Sequence, residues 1–278
     1  MDVDPLSDTV PPRYAVESDE EEDEINPLPS KPSSQDTSVN VKIAGDLPTG
    51  STVAVATGDV AAFWAKGASL GEQIGAVFVN DVQIGLVFKP KWTQAIVVVS
   101  EALSRLPLFS MHPYAKSILD SLKPSRVSLF DTYPVPIYAT DQPTPFQDAP
   151  IRYLSTFDAP NVSVEDAQPF APPNLIQSTS ASFLGILSIA QPPIEATLIL
   201  LPSPHTPHPP PKEVSPSNIS HLAQDDVEWP TQQVNLAQTL LFQGLGETVD
   251  QAWKPVETVQ KEKTPKRTTE IGEGGMYI

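Results

Sequence analysis

The chain has 278 residues, 40% of them hydrophobic, which allows one large or two small domains with a real core. Its 32 prolines, roughly twice ordinary usage, argue against a compact all-helical protein, and the absence of cysteine excludes a disulfide, a thiolate zinc site and a cysteine nucleophile. Seventeen basic against 34 acidic residues leave a net charge of -17, which argues against nucleic acid or anionic lipid as the main partner and favours a basic partner surface. The first residues, MDVDPLSDTV, have neither a basic nor an apolar leader region, and no apolar run approaches the length of a membrane span. A soluble intracellular protein is expected, and the lack of cysteine suits the reducing cytosol or nucleus.

The charge is uneven. Residues 1–30 hold ten acids against Arg13, and prolines recur through to Pro32. Such a segment buries too little apolar area to offset the entropy of ordering, so residues 1–38 are expected to form a disordered acidic tail. Order is expected from Val39 to Trp253. Thr52–Thr57 (TVAVAT) reads as a strand ended by Gly58, with Asp59 capping a helix over Val60–Lys66. Ile74–Val79 and Val82–Phe88 form an antiparallel hairpin around Asn80-Asp81, a pair that tolerates positive φ. Ala95–Val99 is apolar at every position, as in a central strand covered on both faces.

Ser110 is placed to cap a helix over Pro113–Leu122, whose Tyr114, Ile118 and Leu122 share one face. Val127–Phe130 follows as a strand, and the strand-helix-strand order favours a parallel crossover. Beyond the proline-rich Tyr133–Pro150 stretch, Ile151–Ser155 reads as a short strand, Asn174–Ala190 as a helix entered from Pro172-Pro173, and Ile194–Leu201 as a buried strand ended by Pro202. The Pro202–Pro230 stretch is expected to be a surface loop. Val234–Gly244 predicts a last helix with Leu236, Leu240 and Leu241 inward, continued by Glu247–Trp253. Residues 254–275 lack apolar periodicity and read as a flexible tether. The expected fold is α/β: a mixed, largely parallel sheet flanked by helices.

Residue chemistry offers little catalysis. His205 and His208 are spaced for a helical metal pair, but Thr206-Pro207 between them forbids that helix; His112 and His221 stand alone. No nucleophile elbow, H-E-x-x-H or Walker A sequence occurs. Gly58 lacks the companion glycines of a phosphate cradle and has an anion beside it, while Gly244-Leu245-Gly246 follows a helix and reads as its stop. The acid pairs Asp225-Asp226 and Asp158 with Glu165 read as solvated loop groups. No catalytic residue, cofactor or metal is assigned.

The chain closes with Gly274-Gly275-Met276-Tyr277-Ile278. Met276 suits an apolar slot, the Tyr277 ring buries area while its hydroxyl finds a partner, and the Ile278 carboxylate can pair with a lysine. Taken with the acidic start, Thr52–Gly67 (TVAVATGDVAAFWAKG) and Pro172–Leu201 (PPNLIQSTSASFLGILSIAQPPIEATLILL), this ending resembles the proteasome assembly chaperone 1 family, whose tail signature is hydrophobic-tyrosine-any. The resemblance spans most of residues 50–201; the Pro202–Pro230 stretch departs from it as an insertion. It implies a non-enzymatic chaperone, heterodimeric with proteasome assembly chaperone 2, on the outer face of the α-subunit ring of the 20S proteasome precursor. Met276, Tyr277 and Ile278 would then enter a pocket between neighbouring α subunits. Two alternatives stay open on the residues alone: an α/β small-molecule-binding protein or hydrolase with an unrecognised site, and a scaffold using Pro207–Pro211 (PHPPP) as a recognition segment.

Overall fold

Continuous runs of valine, isoleucine, leucine and alanine supply strands that are buried on both faces, and helices must cover them. In the structure, a computed structural model that describes residues 38–140, 144–157, 166–216 and 227–255, nine strands form one mixed sheet. They are β1 (Val41–Gly45), β2 (Val53–Thr57), β3 (Gln73–Val79), β4 (Val82–Phe88), β5 (Ile96–Ser100), β6 (Arg126–Pro134), β7 (Arg152–Ser155), β8 (Gln168–Pro169) and β9 (Glu195–Ser203). Their spatial order is β1-β3-β4-β5-β2-β6-β9-β7-β8. The centre, β5-β2-β6-β9, is parallel; β1, β3 and β4 extend it antiparallel on one side, and β7 pairs antiparallel with β9 on the other. The helices are α1 (Gly58–Gly67), α2 (Leu108–Leu122), α3 (Thr179–Ser188) and α4 (Thr231–Gln243). Contacts divide the chain into the units Met1–Ser38 and Val39–Ile278, and the sheet belongs to the second.

Strand β2 shows how the alternation builds two cores. Val53 and Val55 face α2 and α3 along with Ile96, Val98, Leu129 and Leu198; Ala54 and Ala56 face α1 and α4 along with Val97, Val99, Phe130 and Ile199. Alanine suits the second face because the fully buried Trp64 ring of α1 occupies that space. Each fully buried aliphatic side chain of these layers contributes about 1.5–3 kcal/mol. The hairpin turns as expected, with Asn80 and Asp81 at φ 49° and 65°. The β5-α2-β6 unit is parallel, but β2 lies between its two strands.

Several boundaries differ from the sequence expectation. Helix α1 begins at Gly58, so Asp59 is not its cap; it sits in the first turn and pairs with Arg105 at 3.1 Å. Helix α2 begins at Leu108 behind the extended Pro107, and Ser110 is buried inside it, donating to the Pro107 carbonyl at 2.9 Å. Helix α3 starts at Thr179 and not at Asn174, because the Asn174 side chain acts as a bridge: it accepts from the Ala139 amide at 2.7 Å and donates to the Ala139 carbonyl at 3.0 Å. Strand β9 runs through Pro202 to Ser203. Proline is tolerated there because β7 pairs no further than Leu200, and the Pro202 carbonyl accepts from the Trp229 indole at 2.6 Å. That tryptophan is buried, so the Pro202–Pro230 stretch is not wholly a surface loop.

Residues Glu247–Trp253 do not continue α4. Gly246 adopts φ 78° and ends the helix, and the following residues act as a strap. The Glu247 carboxylate accepts from the Thr52 and Thr93 hydroxyls at 3.1 and 2.5 Å, tying down the entrances to β2 and β5. Trp253 donates its indole N–H to the Trp64 carbonyl at 2.8 Å and its amide to Asn235 Oδ1 at 2.7 Å. No helix among the described residues is long and apolar enough to cross a membrane.

Candidate functional site

Open α/β sheets place ligands at the carboxyl ends of parallel strands, where successive crossovers pass to opposite faces. Here α1 follows β2 on one face and α2 leads from β5 to β6 on the other, bringing Thr57, Ser100-Glu101 and Asp131 together at the ends of β2, β5 and β6. The start of α3 is set into that position. Ser178 donates to Asp131 Oδ2 at 2.7 Å, Ser180 shares a 2.7 Å hydrogen bond with Thr57, and the Thr132 amide donates to Asp131 Oδ1 at 2.7 Å. Glu101, at φ 58°, accepts from the Leu106 amide at 2.8 Å and so closes its own loop.

Burial raises both carboxyls above their ordinary values, and for Glu101 the neighbouring Asp131 pushes in the same direction. Tyr114, wholly buried, hydrogen-bonds Ser100 at 2.7 Å, and burial raises its phenol too. The cluster is therefore a buried polar plug in which burial favours the neutral form of both carboxyls. Chemically it can hold protons and fix α3 to the sheet.

A separate cleft of about 430 Å³ opens beside the ends of β6 and β7, lined by Tyr133, Tyr138, Phe146, Pro150, Arg152 and Pro204 among others. Neither Asp131 nor Glu101 lines it. The Arg152 guanidinium lies 4.0 Å from the Tyr138 ring centroid and 5.5 Å from that of Tyr133, and donates to the Pro169 carbonyl at 3.1 Å. These contacts hold it as a stacked wall of the cleft.

Solved structures offer a likeness in fold. PbaA of Pyrococcus furiosus, described as an archaeal homolog of proteasome-assembly chaperone, aligns at 13% identity over 59% of this chain and 77% of its own, with a TM-score of 0.43. PbaB of the same organism, described as an archaeal proteasome activator, aligns at 10% identity over 76% and 91%, with a TM-score of 0.45. A protein of unknown function from Thermoplasma acidophilum aligns at 12% over 56% and 68%, with a TM-score of 0.42. No family profile matches the chain, and no curated protein matches it in sequence.

Of the residues singled out from sequence, Met276, Tyr277 and Ile278 lie outside the described residues, as do the acidic segment 1–37, His221, Asp158, Glu165 and Asp225-Asp226. His112, His205 and His208 are exposed. No group of three or more histidines and acids is arranged for a metal ion among the described residues. Gly58 and Asp59 do stand at a strand-to-helix junction, where Asp59 is taken by Arg105. Sequence reasoning missed Asp131 and Glu101. Their sequence signal is an acid at the end of a mostly apolar strand run: VVVSE ending in Glu101, and VSLFD ending in Asp131.

Proposed function

We propose that the chain is a non-enzymatic chaperone of 20S proteasome assembly that docks through its α/β core and anchors itself by its final tripeptide. In this reading it pairs with proteasome assembly chaperone 2, binds the outer face of the α-subunit ring, and seats Met276, Tyr277 and Ile278 in a pocket between α subunits. Its work lies in the cytoplasm and nucleus.

The observation that carries the reading is the Met276-Tyr277-Ile278 sequence, whose last residue lies 25 positions beyond the strap residue Trp253. Trp253 is buried against α1, whereas Lys254 and Pro255 are exposed, so the segment that follows leaves from a firm anchorage. A flexible chain of that length has a root-mean-square span of roughly 25–30 Å. A three-residue plug binds weakly alone, but joined to a docked core it acts at an effective concentration of about a millimolar. The buried plug of Asp131, Glu101 and the α3 hydroxyls supports a scaffold in preference to an enzyme, since it fills the position where an α/β sheet would hold a substrate.

Deletion of Met276–Ile278 is the test. We expect unchanged thermal unfolding and an unchanged heterodimer, with affinity for isolated α rings reduced at least tenfold in a surface-binding assay. Ring affinity equal to that of the full chain would overturn the anchor.

A further inference from the structure

From Ala167 to Ile194 no residue is charged, in a chain where acids outnumber bases two to one. Helix α3 lies within this segment and turns Thr179, Ser180, Phe183 and Leu187 into the core. Its opposite side is a surface without a charge. Gly185 sits on that side, exposed, and a Cβ added there would meet nothing within 4 Å. Its φ is not positive, so neither a turn nor a close neighbour within the chain calls for glycine. Glycine in a helix interior weakens the helix relative to alanine, so this position carries a cost with no return inside the monomer. Ile189, the residue that ends the helix, is 80% exposed, and Leu175, in the loop four residues before its start, is 82% exposed. A surface helix that faces water carries charged side chains on its outer face; α3 has none there, and beside Gly185 the only polar groups are the small hydroxyls of Ser182 and Ser188, the latter turned back to the Gly185 carbonyl at 2.8 Å.

We infer that the outer face of α3, centred on Gly185 and flanked by Ile189 and Leu175, receives an uncharged apolar helix of a different protein chain. Glycine lets the partner's backbone come close, and the distance between packed helix axes depends on the side chains at their contact. The lack of charge on this face means that a charged occupant would lose its hydration without finding a counter-charge. A second copy is the poorer occupant, since it would bring a further net charge of -17 to the contact. The inference rests on the heterodimer reading above and supplies the face that the partner covers.

The experiment co-expresses the full chain with proteasome assembly chaperone 2 and measures both pairing and affinity. Variants are Gly185→Arg and Ile189→Asp, both at exposed positions. The wild type is expected to form a one-to-one complex. Gly185→Arg should keep the wild-type circular dichroism and melting temperature while binding the partner at least a hundredfold more weakly, with Ile189→Asp giving a smaller loss. A wild-type complex that Gly185→Arg leaves intact overturns the α3 assignment while the heterodimer reading stands. No complex with the wild type overturns the heterodimer reading itself. Sedimentation of the chain alone adds a third arm: a dimer dissolved by Gly185→Arg would replace the different chain with a second copy.

Discussion

Burial raises the Asp131 carboxyl above its ordinary value, outweighing the Ser178 hydroxyl and the Thr132 amide, whose donated hydrogen bonds favour the charged form. Glu101 is raised for the same reason. The folded state therefore holds protons that the unfolded chain releases. Stability from these groups is greatest below the ordinary carboxylate pKa of about 4 and falls as the pH rises towards their folded values. Asp131→Asn keeps an amide that can bond with Ser178 and Thr132 and removes one titrating group. We expect its melting temperature to change less between pH 4 and pH 7 than that of the wild type, measured by a calorimetric pH series. Parallel slopes for the two proteins would mean that Asp131 is already ionised in the fold.

Strand β4 and helix α2 approach closely at Gly85. A Cβ at Gly85 would collide with the Tyr114 hydroxyl and lie 3.2 Å from Val77 Cβ, so strand and helix touch through the absence of one side chain. Gly85→Ala is expected to cost about 1–3 kcal/mol as an overpacking change, read from urea unfolding. Tyr114→Phe alone should cost about 1 kcal/mol through its lost bond to Ser100. The double variant should be more stable than the two costs summed, because the phenyl ring leaves room for the methyl. Additive costs would show that the clash is relieved elsewhere. At this scale the sequence was most readable where local chemistry decides: the Asn80-Asp81 turn, the apolar β5 and the Tyr114-Ile118-Leu122 face all stand as expected. It was least readable where a distant partner decides. Asn174 left the helix to bridge Ala139, and Pro202 stayed in β9 because β7 had already ended beside it. The plug was illegible for the same reason, since Glu101 and Asp131 reach one site only because β5 and β6 both run parallel to β2 and bring their carboxyl ends to the same edge.

At the scale of the described fold, a late strap clasps an early helix. Trp253 reaches back 189 positions to Trp64, and Gly67 leaves the space its indole needs, since a Cβ there would overlap both the ring and the Lys254 carbonyl. Phe63 stacks on Trp253 with ring centroids 5.2 Å apart. Trp253→Ala is expected to cost about 3–5 kcal/mol, visible as a lower urea midpoint by circular dichroism, whereas truncation after Pro255 should leave that midpoint unchanged. A shift of the midpoint in the truncated chain would mean that the final residues add to the stability of the core. The long-range clasp also sets an order on synthesis. The carbonyl of Trp64 waits 189 positions for the residue that covers it and the ring of Phe63, so a nascent chain stalled before Trp253 should be cut by protease at Phe63 faster than one stalled beyond it.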